Sequence, residues 1–165
     1  MEPKTVGREA GHATCKPKTD ATGLMGQSII LTLSGETRVQ DLRAGDRVIT
    51  RDSGTAMLRG IRKTRVAGRA VRIKAGSLGH TRPERDVTLP AGQAVLIRDW
   101  RAMAVFGTER ALVPAHRLAD GEFVTLHDDA TMTVYELEFD APHVIYVDGL
   151  ELGSHLTEDS LSEAA

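Results

Sequence analysis

From Ser28 onward the hydrophobic residues come in short runs, each closed by a turn signal built on Gly, Asp or Pro. That is the pattern of short strands, not of amphipathic helices. Ile29-Ile30-Leu31-Thr32-Leu33 predicts a strand closed by Ser34-Gly35-Glu36. Residues 37–42 follow and lead into the turn Arg43-Ala44-Gly45-Asp46. Residues 47–50 form the next predicted strand, ended by Asp52-Ser53-Gly54. Residues 57–61 and 65–74 read as longer, more exposed strands with basic residues interleaved, before a loop over 76–83. Residues 87–89 and 94–98 flank the turn Pro90-Ala91-Gly92, and short strands at 103–106 and 111–113 flank Gly107. Pro114 suits the first position of a short helical turn over 115–118. Residues 131–139 alternate, with Tyr135, Leu137 and Phe139 on one face and Glu136 and Glu138 on the other. Residues 143–147 and 150–152 pair across Asp148-Gly149, a type I′ hairpin signal. No segment keeps a helical period beyond two turns. The predicted class is all-β, with many short antiparallel strands.

The length of 165 residues fits one domain, able to bury roughly 70% of its unfolded surface without disulfide or metal. Aromatic residues make up only 4%, so the core must be aliphatic. The single cysteine, Cys15, excludes an internal disulfide and a Cys-rich zinc site. The absence of asparagine excludes N-glycosylation and any chemistry that needs its side chain. No run approaches the ~20 apolar residues of a membrane-spanning helix. Met1-Glu2-Pro3-Lys4 is not the start of a cleaved signal peptide. A cytoplasmic location is therefore the default expectation, with export by an uncleaved C-terminal signal left open. Residues 1–22 read as a flexible N-terminal tail, 23–156 as the folded domain and 157–165 as an acidic C-terminal tail.

Charge is unevenly spread. Residues 1–117 hold all 21 Lys and Arg against 11 of the 23 acids, a balance of +10. Residues 118–165 hold the other 12 acids and no Lys or Arg, a balance of −12. Two halves that pack together and neutralise each other account for this. The alternative is a basic binding face over 59–74, from Arg59, Arg62, Lys63, Arg65, Arg69, Arg72 and Lys74, with Arg82 beyond it. That segment has no aromatic residue to stack bases, so nucleic acid is not the favoured partner.

The turns and strands, in this order, resemble the Hint domain, the fold shared by inteins and the Hedgehog autoprocessing domain. Residues 26–36 and 39–50 look like its first block, a hairpin followed by a strand pair around Leu42-Arg43-Ala44-Gly45-Asp46. Residues 134–139, then His143, then Asp148-Gly149-Leu150 look like its last block. Residues 72–79, 97–102, 106–107 and 112–115 resemble an alphaproteobacterial subgroup. The resemblance covers roughly residues 23–156 and implies a compact fold of two pseudo-twofold halves.

It also implies a chemistry that this sequence can be checked against. An N-to-S or N-to-O acyl shift needs a Cys, Ser or Thr at the first position of the domain. The matching residue is Gly23, which has no nucleophile. A Thr-x-x-His motif that activates the scissile amide falls on Pro90-Ala91-Gly92-Gln93, so Gln93 stands where the histidine would be. Glutamine cannot supply a proton near neutral pH. The terminal Asn used in splicing has no counterpart. His143 matches directly. The expectation is a degenerate Hint domain without autoprocessing activity, a structural or interaction module whose vestigial site positions are Gly23, Gln93 and His143. The alternatives are self-cleavage by a variant route using His143, and an anion- or nucleic-acid-binding β-module through 59–74. No cofactor, metal, membrane or small-molecule substrate is implied, while a protein partner is possible.

The remaining candidates carry bland readings. Cys15 lies in the expected tail, too far from fixed geometry to act as a nucleophile. Ser28 matches a structural hydroxyl of the first hairpin. His80, His116, His127 and Asp128-Asp129 lack compact metal-ligand spacing, and 127–129 reads as a turn. Trp100 reads as a half-buried anchor.

Overall fold

The computed structural model describes residues 20–79 and 81–154. Cys15, His80 and residues 157–165 lie outside the described residues, and of the expected tail 1–22 only Asp20, Ala21 and Thr22 are described.

Twelve strands make two sheets. They are β1 (Leu24–Met25), β2 (Ile29–Thr32), β3 (Gly35–Arg38), β4 (Arg47–Thr50), β5 (Gly54–Met57) and β6 (Gly60–Ile73). There follow β7 (Val87–Pro90), β8 (Ala94–Ile97), β9 (Ala111–Pro114), β10 (Val124–Glu138), β11 (Val144–Val147) and β12 (Leu150–Gly153). One sheet runs β1-β10-β6-β7; the other runs β3-β2-β4-β11-β12-β8-β9, with β5 on β4. All pairings are antiparallel. The core is aliphatic as expected, with Ile30, Leu58, Ile73, Leu89, Ile145 and Leu152 among its fully buried side chains. Each such side chain contributes about 1.5–3 kcal/mol.

The β11–β12 turn has the predicted form. Asp148 and Gly149 both have positive φ, 50° and 82°, as a type I′ turn requires. The Asp148 side chain then pins the hairpin by accepting the Ile29 N–H at 3.1 Å and pairing with Arg85.

Four expectations are corrected. Residues 103–106 are not a strand but part of a helix, α1 (Trp100–Phe106). Asp99 caps its start by accepting the Arg101 N–H, and Gly107 ends it at φ 72°. Met103 and Val105 made the segment look like a buried strand, yet they are 55% and 60% exposed. Residues 57–61 are not one strand: Met57 closes β5 in one sheet and Gly60 opens β6 in the other. Leu58, fully buried, forms the crossing, bonded through its main chain to Gly45 and Asp46. His127-Asp128-Asp129 is not a turn either. It lies inside the 15-residue β10, where His127 faces Ala70 and Ala130 faces Gly68, one extra residue on the β10 side. That is a β-bulge, which tolerates two adjacent carboxylates without reversing the chain. Trp100, finally, is 70% exposed and no anchor, because α1 buries Ala102 and, in part, Arg101 and Phe106 instead.

The charged halves interlock. Arg59 pairs with Asp140, Arg62 with Glu136 and Glu138, Arg85 with Asp148, and Arg51, Arg82 and Arg98 with the buried Glu151. Each pair joins a cation of 1–117 to an acid of 118–165.

Candidate functional site

Gln93 sits between β7 and β8 and is 4% exposed. Its Oε1 accepts the main-chain N–H of Gly23 at 2.9 Å. Its Nε2 donates to the Gly153 carbonyl at 2.7 Å and to the Ala94 carbonyl at 3.1 Å. This network fixes the orientation of the carboxamide. Reversed, it would set NH2 against an N–H and an oxygen against two carbonyls. Both hydrogens of the side chain are therefore committed to carbonyls, and its oxygen faces the Gly23 nitrogen. The structure brings Gly23 and Gln93 into direct contact.

Gly23 itself has φ +128°, a region that side-chain-bearing residues rarely adopt. A Cβ added there would lie 3.0 Å from Val134 Cβ and 3.2 Å from the Tyr135 carbonyl oxygen. Just upstream, the Gly92 N–H donates to the Ala21 carbonyl at 3.0 Å. Only glycine permits this approach, since a Cβ on residue 92 would sit 2.6 Å from the Asp20 carbonyl oxygen. The Thr22 hydroxyl donates to Glu136 Oε1 at 3.3 Å. Asp20 is gripped by Arg69, with His116 Nε2 4.0 Å from its carboxylate. The hydrogen bond from Arg69 holds the Asp20 carboxyl below its ordinary value against the opposing effect of burial. Burial, then the positive field of Arg69, lowers the His116 value, with Asp20 acting in the opposite sense.

His143 is placed differently. It precedes β11, and its main chain exchanges hydrogen bonds with Ser154: His143 N–H to Ser154 Oγ at 2.9 Å, and Ser154 N–H to the His143 carbonyl at 2.8 Å. Its ring turns toward the β4–β5 turn, with Nδ1 2.7 Å from Asp52 Oδ2 and 3.3 Å from Ser53 Oγ. Serine and aspartate thus meet the same ring nitrogen, so the three residues are not a relay in which one nitrogen faces each. Asp52 also accepts the Val144 N–H at 2.9 Å. Burial opposes its ionisation, but the Val144 and His143 hydrogen bonds outweigh that and its carboxyl lies below the ordinary value.

A cavity of about 570 Å³ opens between the sheets beside Gly23 and Gln93. Its walls come from Thr22 to Leu24, Gln93 and Ala94, Gly153 and Ser154, and the stretch from Tyr135 to Pro142. His143 is not among them. The cavity was not legible from the sequence, because its walls come from segments up to about 130 residues apart.

The other candidates separate. Ser28 is buried, and its main chain bonds Met25 and Val39. His127 Nε2 lies 3.2 Å from Thr125 Oγ1. Among the described residues no group of three or more His, Cys, Asp or Glu is placed to hold a metal ion. In the basic segment, Arg59, Arg62, Arg69 and Arg72 each have a carboxylate partner, and Lys63 lies over the Tyr135 ring. Among the described residues no helix is long and apolar enough to cross a membrane.

Comparison with known proteins agrees with this architecture. Residues 22–159 match the family model described as Hint domain. A comparison with curated proteins finds no match. Among solved structures, the bacterial intein-like domain from Clostridium thermocellum is 16% identical, with 82% of this chain and 99% of that one covered and a TM-score of 0.60. The TvoVMA intein is 12% identical over 82% of this chain and 98% of its own, with a TM-score of 0.56. A DnaB intein from Synechocystis sp. PCC 6803 is 13% identical over 82% and 100%, with a TM-score of 0.51. At these identities the likeness is one of fold.

Proposed function

The chain belongs to the Hint domain family, and from that premise we propose that it is a Hint domain without autoprocessing at the Thr22–Gly23 bond, serving as a structural or interaction module. The observation that carries this reading is the Gly23–Gln93 hydrogen bond. An acyl shift needs a nucleophile at residue 23 and a group that protonates or distorts the scissile amide. Residue 23 is a glycine in a backbone conformation that a cysteine or serine rarely adopts. The amide nitrogen donates its hydrogen to a glutamine oxygen, and the glutamine's own hydrogens are held by Gly153 and Ala94. That arrangement stabilises the planar amide. The positions the family uses for chemistry here tie β1 to the end of β12.

One observation favours a second reading, self-cleavage by a variant route. The Thr22 hydroxyl sits against Glu136, and the preceding Ala21 carbonyl is held by the Gly92 N–H. A hydroxyl near a carboxylate and a polarised carbonyl are elements of an acyl shift at the Ala21–Thr22 bond. Among the described residues no side chain is placed to assist departure of the Thr22 nitrogen, and the His143 ring points to Asp52 and Ser53 instead. Intact mass near neutral pH over several days, with and without thiol or hydroxylamine, tests both readings. A single unchanged mass is expected. A break at Thr22–Gly23 overturns the proposal, and a break at Ala21–Thr22 replaces it with the variant route.

A further inference from the structure

The long strand β10 has two edges. One is covered along its whole length by β6, from Val124 against Ile73 to Glu138 against Gly60. The other is paired only at Val134 and Tyr135, by the two-residue β1. Beyond Tyr135 the ladder stops, because Gly23 bonds Gln93 and Ala21 bonds Gly92 in place of β10. The polar groups of successive strand residues point to opposite edges. The Tyr135 carbonyl faces Gly23, and the Glu138 carbonyl accepts the Arg59 N–H on the β6 side. Leu137 therefore turns its main-chain N–H and C=O away from β6, into the 570 Å³ cavity that it helps to line. An unpaired strand edge is a template for another strand.

We propose that this edge is a docking site for an extended, basic segment of a partner protein, which adds to β10 at Leu137. The proposal rests on the reading of the cleft as a binding site and not a reactive one, and it names the partner's chemistry. The rim selects for positive charge. Glu136, Glu138 and Asp140 stand there against Arg59 and Arg62, three carboxylates to two guanidinium groups. The side chains of these three acids are 39%, 53% and 71% exposed, so their present ion pairs contribute little and yield readily to an incoming Lys or Arg. Of the chain's own segments, the acidic downstream one suits the site poorly. The downstream segment, 155–165, carries Glu158, Asp159 and Glu163 and no Lys or Arg.

The test uses the full chain and a labelled ten-residue peptide of alternating Lys and Val, read by fluorescence anisotropy and by amide hydrogen exchange. The Lys–Val peptide is expected to bind and to slow exchange of the Leu137 amide. Alternating Glu and Val, or N-methylation of alternate backbone amides in the Lys–Val peptide, is expected to weaken binding at least about tenfold, since either change removes a feature of strand addition at an acidic rim. Glu138→Lys, at an exposed position that leaves the core intact, is expected to weaken it by a similar factor. Equal binding of the N-methylated peptide, or a Leu137 amide unmoved by saturating peptide, overturns strand addition. No binding of any peptide overturns the site. Intact mass on the same sample separates the two proposals: cleavage with binding removes the unreactive reading and leaves the docking edge, while an uncleaved chain that binds nothing does the reverse.

Discussion

The Gly23 main-chain amide donates to Oε1 of Gln93 at 2.9 Å across 70 residues of sequence. Through Nε2 the same side chain reaches the Gly153 carbonyl, 60 residues further on. One buried carboxamide thus joins the start of the domain, its middle and its end. A histidine could not make all three contacts, since its ring has only two nitrogens. The Gln93 side chain is therefore a structural tie.

Gln93→Ala leaves the Gly23 N–H and the Gly153 carbonyl without a partner in a buried place. Each orphan costs about 1–3 kcal/mol, so a loss of about 2–6 kcal/mol is expected in chemical denaturation. Gln93→Glu should be worse at neutral pH than in mild acid. A carboxylate facing two carbonyls repels them, while its protonated form donates to one of them. A Gln93→Ala variant within 0.5 kcal/mol of the parent, on the order of a neutral surface change, would remove the tie from the argument.

Gly23→Ala and Gly23→Cys test the backbone. At φ +128° a side chain is strained, and its Cβ meets Val134. Each is expected to cost about 1–3 kcal/mol. The double variant Gly23→Cys, Gln93→His supplies a nucleophile and a histidine, with Pro90 still in place of the motif's Thr, and should stay intact in hydroxylamine, because the strained position does not present the thiol to the Ala21–Thr22–Gly23 backbone as a relaxed residue would. Ready cleavage at residue 23 would show that side-chain identity alone had silenced the site.

The strand pattern was legible because turns are local. Arg47–Thr50 and the Asp148-Gly149 hairpin follow from residue types within a few positions. The resemblance singles out Gly23 and Gln93 but not the contact between them, because hydrogen bonding across 70 residues has no local signature. Helix α1 was missed because its caps, Asp99 and Gly107, flank an apolar run with no polar face to set a helical period. The bulge at His127 was missed because Asp128-Asp129 has the composition of a turn, and only the opposing strand decides otherwise. The role of Glu151 lay equally out of reach, since it depends on arginines from three separate segments.

Glu151 is 3% exposed, with Arg98 at 2.8 Å, Arg82 at 3.5 Å and Arg51 at 3.6 Å. These arginines come from the ends of β4 and β8 and from the loop before β7, so the carboxylate gathers three parts of the fold. Glu151→Ala leaves three guanidinium groups crowded without their anion and is expected to cost about 3–5 kcal/mol. Exposed pairs such as Arg59–Asp140 should matter far less, since solvent screens them. Comparing urea midpoints of Glu151→Ala and Asp140→Ala checks the ranking, and equal effects would refute it.

The cluster at residue 20 should contribute to how stability responds to acid. His116 has a folded value below its ordinary one, chiefly from burial and then from Arg69. Below its unfolded value of about 6.5 the unfolded chain binds the proton more readily. The His116 contribution is therefore complete above that pH and declines as pH falls toward the lower folded value. Asp20 also lies below its ordinary value, held there first by the Arg69 hydrogen bond. Its contribution is complete above the unfolded carboxylate value of about 3.9 and is lost as pH falls through the folded one. Both effects have the same sign, so acidification should destabilise in two stages. His116→Gln should remove part of the first stage and leave the second. Asp20→Asn should remove part of the second stage and deepen the first, since the Asp20 charge raises the His116 value, while weakening the fold at neutral pH by the loss of the Arg69 ion pair. Urea denaturation across this range checks the differences between parent and variant. A His116→Gln curve that runs parallel to the parent from pH of about 7 to about 5 would show that the ring does not couple to folding.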